Sequence, residues 1–134
     1  MLTPQPFLVV VPMSTLGNWL REFDRWAPPD LRVVPLYGDS ASRSIIKEHE
    51  LFTDDGVLRA HVVLTTYENV TSEASALRKV TRWDCMVVDE GQRLKGGDDG
   101  KLFKAVQAIR CGFRVLLSGT SINNNSACAG GCRD

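Results

Sequence analysis

Asp89 and Glu90 follow directly on the apolar run Cys85-Met86-Val87-Val88. A carboxylate at the end of a buried strand can hold a magnesium ion, usually through water. Its neighbour points elsewhere and can orient or deprotonate an attacking water. Taken alone, the pair reads more plainly as a solvated acidic loop. Two hydroxyl pairs occupy similar places. Ser14-Thr15 comes just after Phe7 to Val11, and Thr65-Thr66 closes His61 to Leu64. Hydroxyls and backbone N–H groups at a helix start bind phosphate oxygens, although each pair by itself fits simple helix capping. Ser118-Gly119-Thr120 ends a fourth run and reads first as a turn. The shared position, each at the end of an apolar run, says more than any one motif.

Those positions presuppose strands. Five apolar runs recur: Phe7 to Val11, Arg32 to Tyr37, His61 to Thr65, Cys85 to Val88 and Arg114 to Leu117. Most are continuous rather than alternating, as expected of strands buried on both faces. Helical patterns lie between them. Ser14 or Thr15 is expected to cap the first, with Leu16, Trp19, Leu20, Phe23 and Ala27 on one stripe, stopped by Pro28 and Pro29. Trp19, Phe23 and Trp26 are expected in the core. Ser42 is the expected cap of a second helix carrying Ile45, Ile46, His49 and Phe52. A third runs from about Asn69 to Val80, and a fourth holds Leu102, Phe103, Val106 and Ile109 and ends near Gly112. Strands alternating with helices predict an α/β fold: a doubly wound, mostly parallel sheet flanked by helices. Ligands of such sheets sit outside the carboxyl ends of the strands.

The 134 residues suit one domain, with 43% hydrophobic and 24% charged residues. Sixteen basic residues balance sixteen acidic ones, so bulk charge does not mark a polyanion binder. No run approaches the roughly 18 to 20 apolar residues of a spanning helix, and no membrane contact is expected. The four cysteines form no disulfide framework, and the chain reads as intracellular. Gly96-Gly97-Asp98-Asp99-Gly100-Lys101-Leu102 is a false phosphate loop: the glycine spacing is wrong, Leu102 replaces Ser or Thr, and the aspartates repel phosphate. Cys128 and Cys132 are half a zinc site without a second pair. His49 and His61 read as structural or surface residues. An ordinary flavodoxin-like binding domain would give no reason for four motif-bearing strand ends.

Together the motifs resemble the ATPase core of Swi/Snf-type chromatin remodellers, within helicase superfamily two. Val10 to Trp19 is similar to motif Ia, and the likeness continues through Glu22-Phe23, Trp26 and Tyr37-Gly38. Leu64 to Glu68 resembles motif Ib. Val88 to Lys95 resembles motif II, the Walker B or DEAH-like box. Leu117 to Thr120 with Asn124-Asn125 resembles motif III. The resemblance implies an incomplete RecA-like lobe over residues 1–125, and the small and polar residues at 126–134 are expected to form a disordered tail. It implies a nuclear, ATP-driven DNA translocase acting on DNA or nucleosomes through the backbone, with a second lobe as partner. Asp89 would help bind magnesium–ATP through water, and Glu90 would activate water. Gln92 would act as the motif II partner. Ser14, Thr15, Asn18, Thr65 and Thr66 would line the DNA path, and Ser118, Gly119 and Thr120 would couple hydrolysis to movement.

The chain departs from the family in places. Gln92 stands where motif II usually ends in His. Ser121-Ile122-Asn123-Asn124 replaces the usual Pro-Leu-Gln-Asn, which loosens that turn. No Gly-Lys-Ser/Thr loop precedes Phe7. ATP and magnesium are therefore expected in the complete enzyme, with neither held tightly by this chain alone. The competing expectation is a non-catalytic α/β interaction module derived from the same lobe.

Overall fold

The computed structural model describes residues 5–95 and 100–119. Five strands form one sheet: β1 (Phe7–Val11), β2 (Val33–Leu36), β3 (Val62–Thr66), β4 (Trp83–Val88) and β5 (Cys111–Leu116). Their order is β2-β3-β1-β4-β5, and every pairing is parallel. The central strand β1 pairs Val9 with Leu64 on one side and with Val87 on the other. Pro35 lies in β2, an edge strand, where a missing N–H can face away from the ladder.

The continuous apolar runs divide their side chains between two faces, as strand periodicity requires. Leu8, Val10, Val34, Leu36, Val63, Met86 and Val88 form one buried cluster with Leu51, Val70, Leu77 and Val106 from the helices and Ile109 just beyond the last of them. Val9, Val11, Val62 and Leu64 form the other, closed by Leu16 with Trp19, Leu20 and Phe23. That second face is covered by helix α1 (Met13–Trp26). The first face carries α2 (Ser40–Ile46), which runs on into a π turn at Lys47–Leu51. It also carries α3 (Tyr67–Ser72), α4 (Ala74–Lys79) and α5 (Lys101–Ala108).

Several boundaries differ from the sequence expectation. Neither Ser14 nor Thr15 caps α1. Pro12 is the N-cap, and the Thr15 hydroxyl donates back to the Pro12 carbonyl at 3.1 Å. Asp39, not Ser42, caps α2, accepting the Ser42 N–H at 2.7 Å. That bond is the main cause holding the Asp39 carboxyl below its ordinary range. The third helix is two helices hinged at Glu73. Its backbone leaves the helical region so that the side chain can meet Arg43 and Lys47 at 2.8 and 2.7 Å. The fourth helix ends at Ala108, and Gly112 lies inside β5. A Cβ at Gly112 would stand 2.8 Å from the Asp84 carbonyl, so this glycine serves close strand approach rather than a helix end. Trp26 is 71% exposed, not core. It donates to Glu22 at 2.8 Å, with Arg25 over its ring.

Among the described residues, strand β5 is the second edge of the sheet. Its register pairs Val87 with Val115 and Val88 with Leu116, so both of its faces continue apolar faces of the sheet. Yet Phe113 is 71% and Leu116 57% exposed.

Candidate functional site

Strand β1 leads into α1 on one face of the sheet, while its neighbour β4 leads towards α5 on the other. Adjacent strands whose chains part to opposite faces leave a crevice at their carboxyl ends. Asp89 and Glu90 lie at that crevice. The Asp89 N–H extends the ladder to the Val10 carbonyl at 2.9 Å. Its carboxylate is held twice: Oδ1 accepts the Glu90 N–H, and Oδ2 accepts the indole N–H of Trp19, both at 2.9 Å.

The chain then turns sharply. Glu90 has φ 56°, the one non-glycine residue with positive φ among the described residues. Such a conformation costs on the order of 1–3 kcal/mol and persists only where neighbours enforce it. The enforcing contacts are visible. The Tyr67 hydroxyl donates to the carbonyls of Asp89 and Glu90, the latter at 3.1 Å. Burial pushes the Tyr67 pKa up from its ordinary value of 10.0 to about 12, and at neutral pH the hydroxyl is a donor either way. The Gly91 N–H donates to the Leu117 carbonyl at 2.8 Å, and the Arg93 N–H returns to the Glu90 carbonyl at 2.9 Å. A Cβ at Gly91 would meet the Leu116 Cβ at 2.9 Å, so only glycine lets the turn pass β5.

Beyond the turn, Gln92 Nε2 donates to Glu90 Oε2 at 2.6 Å. Glu90 Oε1 lies by Gly119, where a Cβ would stand 3.4 Å from it. Ser118 and Gly119 are exposed beside the acidic pair. Thr120, Asn124, Asn125 and the tail lie outside the described residues.

The donor set suits a hard cation held mostly by water and phosphate. Magnesium is typically bound through one or two carboxylates plus substrate oxygens rather than an all-protein cage. Asp89 is half-buried, and both its oxygens are oriented by N–H donors. No cluster of three His, Cys, Asp or Glu able to hold a metal occurs among the described residues.

The hydroxyl residues separate into two groups. Ser14 and Asn18 are exposed on α1, and Thr15 is half-buried beside them. Thr65 and Thr66 are buried and committed internally. The Thr65 hydroxyl donates to the Leu36 carbonyl at 2.7 Å, while Thr66 Oγ1 accepts the Asn69 N–H at 3.3 Å and caps α3. Sequence reasoning gave Trp19 a packing role and Tyr67 none. The available signal was the indole N–H, a donor that must find a partner when its ring is largely buried.

Residues 2–128 match the family model of the SNF2-related domain. The chain is 44% identical over 121 residues to the CHD3-type chromatin-remodeling factor CHR7 of Arabidopsis thaliana, covering 90% of this chain and 10% of that protein. It is 39% identical over 122 residues to the chromatin remodeling factor mit1 of Schizosaccharomyces pombe, covering 90% of this chain and 8% of that protein. Among solved structures it is similar to the Sulfolobus solfataricus SWI2/SNF2 ATPase core in complex with dsDNA. The two share 34% identity with a TM-score of 0.70, over 90% of this chain and 22% of that one. The chain thus spans a tenth or less of the length of these curated relatives. With its parallel sheet, its acidic turn at the crevice and these matches, the chain belongs to the SNF2-related domain family, the Swi/Snf-type ATPases with a RecA-like core.

Proposed function

We propose that this chain supplies the Walker B side of an ATP site and part of a DNA-backbone track in a nuclear, DNA-translocating chromatin remodeller. The observation that carries this reading is the Asp89–Glu90 turn, strained at Glu90 and held by Trp19, Tyr67 and β5 at the sheet crevice. Magnesium–ATP, when bound, supplies the phosphoanhydride and the cation that offsets its charge. Asp89 faces the cation through water. Glu90 Oε1, on the Gly119 side, is the oxygen placed to take a proton from the attacking water, while Gln92 fixes Oε2. Ser118, Gly119 and Thr120 then form the link from this carboxylate to the second lobe.

The exposed residues Ser14 and Asn18, with Thr15, are the proposed phosphate contacts on duplex or nucleosomal DNA. Thr65 and Thr66 serve the same track from beneath, by fixing the strand end and the start of α3.

The test is Glu90→Gln in a two-lobed SNF2 ATPase carrying this stretch. The amide keeps the size of the side chain but cannot act as a base. Turnover is expected to fall by roughly 10²–10⁴-fold, with ATP affinity retained. Wild-type turnover in that variant refutes the assignment.

A further inference from the structure

Helix α1, which carries the proposed DNA contacts, and helix α3, which starts at the Thr66 cap, each send one side chain to the acidic turn. On α1, Trp19 follows Asn18 directly and stands one turn beyond Thr15 on the same stripe, beside the stripe of Ser14 and Asn18. Its ring packs against Phe23 at 6.1 Å between centroids, and its N–H reaches Asp89 Oδ2 at 2.9 Å. On α3, Tyr67 is the first helical residue after the Thr66 cap, and its hydroxyl meets both carbonyls of the turn. The turn itself is strained, because Glu90 sits at φ 56° rather than in the negative-φ region that non-glycine residues prefer. Tyr67 reaches the carbonyls on both sides of the peptide that this strain involves.

We infer that Trp19 and Tyr67 are positioning residues that tie the Asp89–Glu90 turn to α1 and α3, so that a DNA-backbone contact on the outside of α1 is felt at the two carboxylates while α3 anchors the turn. Neither touches a reacting atom. Trp19 sets the rotamer of Asp89, and Tyr67 holds Glu90 in its left-handed conformation. A shift of α1 relative to β4 lengthens the Trp19–Asp89 bond, and a shift of α3 lengthens those of Tyr67. The inference rests on the DNA reading of α1 given above.

The test uses the 134-residue chain, labelled with nitrogen-15 and titrated with a short DNA duplex. The expected result is that the amide signals of Ser14 and Asn18 move together with the Trp19 indole signal and the amides of Glu90 and Gly91. In Trp19→Phe, which keeps an aromatic ring but lacks the N–H, the Ser14 and Asn18 shifts persist while the Glu90 and Gly91 shifts are lost or strongly reduced. Tyr67→Phe, which removes only a hydroxyl, has the same effect and stands in if Trp19→Phe fails to fold. A merely structural role for either residue lowers the melting temperature and leaves the pattern of DNA-induced shifts intact. Shifts at Ser14 and Asn18 without any at Glu90 in the unmutated chain, or shifts at Glu90 that survive both substitutions, overturn the inference and leave the DNA reading standing. No shift at Ser14 or Asn18 overturns both.

Discussion

At the scale of single residues, the acidic turn depends as much on what is absent as on its carboxylates. Gly91 has no side chain because Leu116 occupies the space. Gly91→Ala places a Cβ against the Leu116 Cβ, which no rotamer change can withdraw. It should destabilise the chain by about 1–3 kcal/mol, read as a lower urea midpoint with an unchanged slope. A midpoint equal to that of the unmutated chain refutes the close approach. Asp89 and Glu90 were legible in the sequence because an acidic pair after a buried run is conspicuous. The need for glycine at position 91 was not, since it arises from β5, some 25 residues further along the chain. Nor was the inward orientation of Thr65, whose hydroxyl answers a carbonyl on β2. Both facts depend on which strands become neighbours, and the order β2-β3-β1-β4-β5 is not the order of the chain.

At the scale of elements, the helices on the first face are joined by charge as well as by apolar packing. Glu73, at the break between α3 and α4, receives Arg43 and Lys47 from α2 and its π continuation. Burial alone would raise the Glu73 pKa, but the hydrogen bonds and charges of Lys47 and Arg43 outweigh it and hold the carboxyl below its ordinary value of 4.5. The folded state thus binds this proton less readily than the unfolded chain. The stabilisation is complete above the ordinary value and is lost as pH falls through the lowered one. Glu73→Gln is expected to cost roughly 2 kcal/mol near neutral pH, with the difference from the unmutated chain shrinking in acid. Urea unfolding across a pH series measures it, and a pH-independent difference would sink the argument. Strand and helix order was readable from hydrophobic periodicity. The hinge was not, because apolar residues continue through it, with Val70 before and Ala76 and Leu77 after. The Asp39 cap was missed for a related reason: Ser42 fits a cap equally well by type, and only backbone geometry separates the residue that accepts the N–H from the one that donates it.

At the scale of the whole molecule, zero net charge limits what the chain can do with DNA. Ser14, Thr15 and Asn18 can hydrogen-bond phosphates but release no counterions. Duplex binding by the chain alone should fall in or beyond the non-specific range of about 10⁻⁴ to 10⁻⁶ M, with a shallow salt dependence. It should also be indifferent to base sequence. Ser14→Ala should weaken it without altering the melting temperature, because Ser14 caps nothing. Fluorescence anisotropy on two unrelated duplexes over a salt series checks each point, and a nanomolar, sequence-selective complex would argue against a translocase lobe.

Among the described residues no strand pairs with the outer side of β5, and this has a further consequence because the sheet has a direction. Every strand runs the same way, and Ser118 and Gly119 leave β5 at the same end as the acidic turn. Any strand that joins β5 in parallel would lie about 4.8 Å away. The loop leaving its carboxyl end would then emerge next to Gly119, and so within reach of the Glu90 carboxylate that Gly119 adjoins. Covering the apolar residues Phe113, Val115 and Leu116 and bringing a loop beside the Glu90 carboxylate would then be one event. A strand set against β5 in the opposite direction would cover the same residues and still leave Glu90 without that neighbouring loop.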